Sequence, residues 1–253
     1  MRRTIFKVIA ATALFAGLHS LLASRRAKAV AVTLVGERRR NALYRPFYNA
    51  TALISVAALA VYLFKLPDRT LYRVRRPLSE LMVVGQVISL LCLAWGVRQI
   101  GFLQFSGVNN LGKFLAGGRY IAAEPEGQGP ALDADGRIKD TGPFRWSRHP
   151  LNFWMLPLLW LMPRMTAKLA AFNVVVTIYL SVGSLHEEAR LREAYGEAYA
   201  EYQGSGASFF VPFTTFPAGK KSDADARPTV SRRASHRELA APVIEYEAGG
   251  VGR

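Results

Sequence analysis

Two short segments of the 253-residue chain concentrate side chains able to do chemistry. The first is Gly142-Pro143-Phe144-Arg145-Trp146-Ser147-Arg148-His149-Pro150-Leu151-Asn152. The second starts His186-Glu187-Glu188-Ala189-Arg190-Leu191 and continues through Tyr195-Gly196 to Tyr199 and Tyr202. Gly-Pro closes a loop, and Pro150 suits the first turn of a helix, where its missing N–H costs nothing. Arg148 and His149 then stand at a helix N-terminus, where unpaired N–H groups and the helix dipole attract anionic groups. In the second segment Glu188, Arg192, Tyr195, Tyr199 and Tyr202 recur at spacings of three and four, which puts them on one helical face. Acids, a histidine, an arginine and stacking aromatics around one mouth would hold a ligand with an amine, a ribose and a base. Each residue alone has a plainer role. Arg and Tyr anchor the ends of membrane spans, and Glu187 and Glu188 can pair with Arg190 and Arg192 on a solvated face. Adjacent acids at the end of a span, facing an Arg-His-Pro, favour a binding role for the set.

What must position these residues is a membrane fold. Hydrophobic residues make up 51% of the chain and charged ones 20%, and the two kinds fall in separate blocks along it rather than interleaved. That is the pattern of apolar spans joined by charged loops. Apolar runs at 5–22, 47–64 and 78–97 each have the length of a span of about 18 to 20 residues. The first, behind Arg2 and Arg3, has some features of a signal peptide, but its length and the spans after it favour an uncleaved span. Residues 104–142 are polar and rich in glycine, which predicts a long loop able to act as a lid. Apolar character returns at 151–163 and 167–185, predicting a helical hairpin whose first arm is too short for an ordinary span. An amphipathic helix over 186–203 follows, and a Lys/Arg/Ser/Pro-rich tail over 218–253 is expected to be disordered.

The expected fold is therefore all-α: a polytopic membrane bundle of about five transmembrane helices with a C-terminal hairpin and amphipathic helix. Residues 1–103 supply three spans, and 143–217 supply the site. The basic first loop is expected in the cytoplasm, which places the long loop and the site there too. The net charge of +15 flanks the apolar runs and matches no nucleic-acid-binding pattern, so the expected partners include membrane lipids and no nucleic acid. The single Cys92 lies in an apolar run and allows no intrachain disulfide or cysteine metal site, and no metal site is expected.

The Gly-Pro-Phe-Arg-Trp-Ser-Arg-His-Pro segment, a hairpin, then Glu-Glu-x-x-Leu-x-x-x-Tyr-Gly-x-x-Tyr-x-x-Tyr resemble the isoprenylcysteine carboxyl methyltransferase family, which includes phospholipid and methanethiol S-methyltransferases. The resemblance is specific over 141–203 and looser over the first three spans, where His19-Ser20 and Tyr48-Asn49 are similar to bacterial members. It implies an S-adenosylmethionine pocket facing the cytoplasm of a bacterial inner membrane. By position, His149, Pro150, Glu187, Glu188, Tyr199 and Tyr202 would bind the cofactor, and Arg148 and Glu188 would serve the reaction. The implied activity is methyl transfer to a small thiol or lipid-like acceptor. The chain departs from the family pattern at Asn152, where a Tyr is usual, and at Trp154, where a Gly is usual. Two other readings remain open. A haem-binding membrane protein, similar to nitrogen-oxide respiration accessory proteins and carotene isomerases, would use His19, His149 or His186 as axial ligands. A non-catalytic membrane scaffold would account for Asn152 and Trp154.

Overall fold

The computed structural model describes residues 1–122, 129, 132–133 and 135–214. The centre of the expected lid and the tail expected to be disordered lie outside the described residues. The regular secondary structure of the described chain is helical apart from one short ribbon. In order it forms α1 (Arg2–Ala23), α2 (Arg25–Val35), α3 (Glu37–Phe64), β1 (Thr70–Arg73), α4 (Leu78–Ile100), α5 (Phe102–Ser106), α6 (Val108–Leu115), a 3-10 turn (Gly142–Arg145), α7 (Pro150–Trp160), β2 (Arg164–Thr166), α8 (Ala167–Tyr195) and α9 (Glu197–Gly204).

Among the described residues four helices, α1, α3, α4 and α8, are long and apolar enough to cross a membrane. Their apolar side chains face outward: Leu14, Leu53, Ile54, Leu91 and Ile178 are all more than half exposed, as they would be against lipid. The fifth arm, α7, has 11 residues, about 16 Å of helix, roughly half of a hydrocarbon core of about 30 Å. Polar side chains fix its register. Gln86 Nε2 donates to the Leu158 carbonyl at 3.0 Å, Asn173 Nδ2 to the Leu159 carbonyl at 2.7 Å, and Asn152 Nδ2 to Ser184 Oγ at 2.9 Å. Such bonds between helices replace the hydrophobic drive that lipid does not supply. Gly96 and Gly85 complete the seam, because a Cβ at either would stand 2.6 Å from Leu151 Cδ2 or 2.5 Å from Leu161 Cδ1. The start of α7, and with it His149, therefore lies one turn inside the C-terminal end of α4.

At the end of the bundle away from His149, β1 and β2 pair antiparallel and tie the α3–α4 connection to the α7–α8 turn. Asp68 reinforces the tie by accepting from the Lys168 N–H at 3.1 Å. At the other end, two segments read from the sequence as loops are partly helical. The basic stretch after α1 folds as α2, capped by Ser24 Oγ on the Ala27 N–H at 3.2 Å, and then as the first turns of α3. The stretch after α4 begins with α5 and α6. Asn49 Nδ2 on α3 donates to the Phe105 and Ser106 carbonyls at 3.2 and 3.0 Å, and Asn110 Nδ2 on α6 donates back to the Asn41 carbonyl at 3.1 Å. Side-chain amides satisfy these helix ends, so short helices form where no apolar run could cross a bilayer.

The single helix expected over 186–203 is broken. α8 runs on to Tyr195, Gly196 takes φ 52°, and α9 starts at Glu197. A straight helix would put Tyr199 about 16 Å from Glu188, eleven residues back. The positive φ, cheap only for glycine, turns α9 back so that Tyr199 Oη donates to Glu188 Oε1 at 2.9 Å.

Candidate functional site

The two motif segments meet as their sequence suggested. His149 is the residue before α7, Pro150 is the first helical residue, and Glu187 and Glu188 lie near the C-terminal end of α8. Glu188 is the hub. Its Oε1 accepts from Arg148 Nε at 2.6 Å and from Tyr199 Oη, and stands 3.2 Å from His149 Nε2. Its Oε2 accepts from Gln203 Nε2 and, at 3.4 Å, from Arg148 Nη2. Arg148 also donates through Nη1 to the Ala207 carbonyl at 2.8 Å. Tyr202 is buried, and its hydroxyl donates to the Phe144 carbonyl at 2.6 Å. One carboxylate thus joins α8, α9, the start of α7 and the segment after α9.

Glu187 takes the other ring nitrogen of His149, its Oε2 lying 3.5 Å from Nδ1. Burial opposes a charge on His149, but hydrogen bonds and charge from Glu187 and Glu188 outweigh it, so the pKa lies above the ordinary histidine value. Both nitrogens then act as donors, and the imidazolium is an organiser of the two acids. Burial first, and then the Glu188 carboxylate, push the Tyr199 phenol well above its usual range. Tyr199 is therefore a fixed donor and takes no proton.

A strap that sequence reasoning did not single out covers this cluster. After α9 the chain returns antiparallel to none of the strands but beside Ser147, with which Ser208 forms a parallel bridge. The Arg148 N–H donates to the Ser208 carbonyl at 2.9 Å, and Ser147 Oγ donates to the Phe210 carbonyl at 2.8 Å. Phe209 lies with its ring 5.8 Å from the Arg148 guanidinium and 5.3 Å from the His149 ring. The signal for it was weak: Ala-Ser-Phe-Phe-Val-Pro is an apolar patch between a glycine-rich stop and a basic tail.

Space for a ligand lies on the other side of Glu187. A cavity of about 520 Å³ is lined by α1, α2, α3, α5, α7 and α8, within the range of about 300–1,000 Å³ typical of small-molecule sites. Its wall includes His19, Tyr44, Tyr48, Tyr179, Asn152 and Glu187. Tyr48 Oη and His19 Nε2 are 2.6 Å apart, and the Tyr44 hydroxyl donates to the Leu22 carbonyl at 2.7 Å. A much smaller cleft, about 10 Å³, lies against Arg148, His149 and Pro150. Asn152 and Glu187 line both spaces. Of the sequence-derived set, then, Glu187 faces the large cavity, His149, Pro150 and Arg148 face the cleft, and Glu188, Tyr199 and Tyr202 brace the wall behind them. Trp154 lines neither space and packs against Phe153 at 5.1 Å, so it does not narrow the cavity. His19 and His186 line the cavity, whereas His149 has both nitrogens committed to the acids.

Fold and site together define a polytopic all-α membrane protein with a buried acid–imidazole–arginine cluster beside a ligand-sized cavity. Its relatives are bacterial methanethiol S-methyltransferases. The chain is 25% identical to the one from Pseudomonas deceptionensis over 193 residues, covering 75% of this chain and 66% of that protein. It is 24% identical to methanethiol S-methyltransferase 1 of Bradyrhizobium diazoefficiens over 202 residues, 79% of this chain and 64% of the relative. A third, from Crocosphaera subtropica, is 30% identical over 143 residues, 55% of this chain and 51% of that protein. The matched region thus spans less than two thirds of these relatives' own length. No family model matches the chain, and no solved structure does. The similarity agrees with the resemblance to the isoprenylcysteine carboxyl methyltransferase family that the two motifs carry.

Proposed function

We propose that this chain is a membrane methyltransferase that uses S-adenosylmethionine to methylate a small thiol or a lipid-like acceptor, in a bacterial inner membrane. The observation that carries the reading is Glu187: one carboxylate that joins the His149 cluster and also lines a ligand-sized cavity. The relatives' names agree with it.

The donor set fits the cofactor. Glu187 suits an ammonium or ribose hydroxyls, and Tyr44, Tyr48 and Tyr179 offer aromatic surface to a base. The cleft at His149 is too small to hold the cofactor alone, so Glu187 would receive it from the large cavity, with His149 and Pro150 closing that end. When bound, S-adenosylmethionine supplies an electrophilic methyl group on a sulfonium.

The protein's own contribution is placement. Arg148, Glu188, Tyr199 and Tyr202 act as positioning residues: Arg148 and Tyr199 hold Glu188, Glu188 and Glu187 hold His149 between them, and Tyr202 holds the Phe144 carbonyl just before it. Holding donor and acceptor in line can supply about 7 to 11 kcal/mol of the barrier. A thiolate needs no further base. The test is transfer of radiolabelled methyl from S-adenosylmethionine to methanethiol and to longer-chain thiols by the purified full chain in lipid nanodiscs. Labelled thioether with at least one acceptor supports the reading. A folded chain that binds the cofactor but labels neither thiols nor its own lipids contradicts it.

A further inference from the structure

The cavity has a second character that holding a methyl donor and acceptor in line does not require. Six cationic side chains line it, Arg25, Arg26, Lys28, Arg40, Arg45 and Arg190, against the one carboxylate of Glu187. They come from α2, from the first turns of α3 and from the end of α8, so chain segments far apart in sequence converge on one space. Arg25 and Arg26 are exposed, and Arg25 pairs with Glu193, whereas Lys28, Arg40, Arg45 and Arg190 are half-buried; a wall that gathers cations attracts a group of opposite sign.

Two of these side chains carry unmet hydrogen-bonding capacity. Arg40 Nε and Arg190 Nε are buried and have no hydrogen-bond partner among the described residues. Each guanidinium is held in place by another of its nitrogens. Arg40 Nη1 donates to Asn41 Oδ1 at 2.7 Å, and Arg190 Nη1 donates to the Ala23 carbonyl at 2.8 Å. Buried N–H donors are rarely left unpaired. A fixed guanidinium on a cavity wall matches an oxyanion, above all a phosphate, which has several oxygens to share among several forks.

The location points the same way. α2 begins one residue after α1 ends and exposes Val30, Leu34 and Val35. A short helix with basic residues at its start and exposed apolar ones towards its end lies at the membrane–water boundary. The cavity's basic wall is therefore at the depth of lipid headgroups, where phosphates are concentrated.

We propose that the basic wall of this cavity, Arg40 and Arg190 included, is a binding site for a phosphate group. The site stands whether or not the chain transfers a methyl group. It divides the cavity by charge, with cationic ligand groups held at Glu187 and the phosphate at the arginines.

The phosphate can belong to a membrane phospholipid or to a soluble phosphorylated molecule, and one experiment separates them. The detergent-purified full chain is examined by native mass spectrometry with dioleoylphosphatidylglycerol or dioleoylphosphatidylcholine, with and without inorganic phosphate. Thermal stability in phosphate and in chloride at equal ionic strength is measured in parallel and needs no variant. Phosphatidylglycerol retained over phosphatidylcholine, and weakened about tenfold in Arg40→Gln and Arg190→Gln, is the lipid outcome, the factor being that of one charge-assisted hydrogen bond. Stabilisation by phosphate over chloride, with displacement of the lipid, is the soluble-phosphate outcome. Arg39→Gln, on an exposed neighbour outside the cavity wall, should leave both readouts unchanged. Equal loss in Arg39→Gln would overturn the site, as would neither lipid preference nor phosphate stabilisation in the wild type. Loss of S-adenosylmethionine binding alone in the two arginine variants would overturn it as well.

Discussion

At the residue scale, the two adjacent acids do different work, and substitution should separate them. Glu188 has partners on both oxygens, and its side chain is 12% exposed, against 13% for Arg148. Glu188→Ala would leave the Arg148 guanidinium buried without its counter-charge and the His149 ring with Glu187 alone. We expect a loss of about 3 to 5 kcal/mol, read as a lowered Tm in detergent. Glu187→Gln should keep the fold and lose ligand binding. His149 gives a pH signature. Its folded pKa lies above the ordinary value because the two acids stabilise the imidazolium more than burial penalises it. The stability from this contact is fully present below about pH 6.5, the unfolded value, and is lost as pH rises through the higher folded one. Tm measured from pH 6 to 9 should fall over that range in the wild type and fall less in His149→Gln. The motif residues were legible in the sequence because each motif is contiguous. Arg40, Tyr44 and Tyr179 were not, since they lie on α3 and α8 and meet the site only through helix packing.

At the scale of elements, two glycines show what local pattern alone does not decide. The spacing of Glu188, Tyr195, Tyr199 and Tyr202 is helical, and both halves are helices. Only the break at Gly196, which periodicity does not register, lets Tyr199 reach Glu188. Gly107 joins α5 to α6 at φ 81°, and a Cβ there would stand 2.9 Å from Arg45 Cβ and 2.7 Å from Pro46 Cδ. The backbone angle and the crowding act together. Gly107→Ala should cost about 1 to 3 kcal/mol and loosen α5 from the start of α3, seen as faster hydrogen exchange over 102–115. The short arm α7 was legible as a length too small to cross. Its anchoring by Gln86, Asn152 and Asn173 was not, because interhelical partners leave no trace in local sequence.

At the scale of the whole molecule, the helices run so that one end carries the ribbon and the other the site. α1 and α8 end at the site, α3 starts there, and Arg190 on α8 donates to the Ala23 carbonyl at the end of α1. The spans themselves were plain in the sequence, because runs of apolar residues of membrane length have few other uses. Orientation is the harder reading, as both ends are basic. The Arg-rich stretch at 25–45 favours the site end in the cytoplasm. In a Cys92→Ala background, a single cysteine placed at Ser205 should react with a membrane-impermeant maleimide only from the cytoplasmic side, and one at Thr70 only from outside. The reverse pattern would invert the assignment and leave the fold intact.

The central claim is that Glu187 holds a cofactor at the boundary between the His149 cluster and the cavity. Calorimetric titration of the full chain in nanodiscs with S-adenosylmethionine tests it most directly, beside a Glu187→Gln variant shown to be folded. The account predicts saturable binding in the wild type, weakened at least about tenfold in the variant by the lost charge-assisted contact. No binding by the folded wild type, or equal binding by the variant, would contradict it.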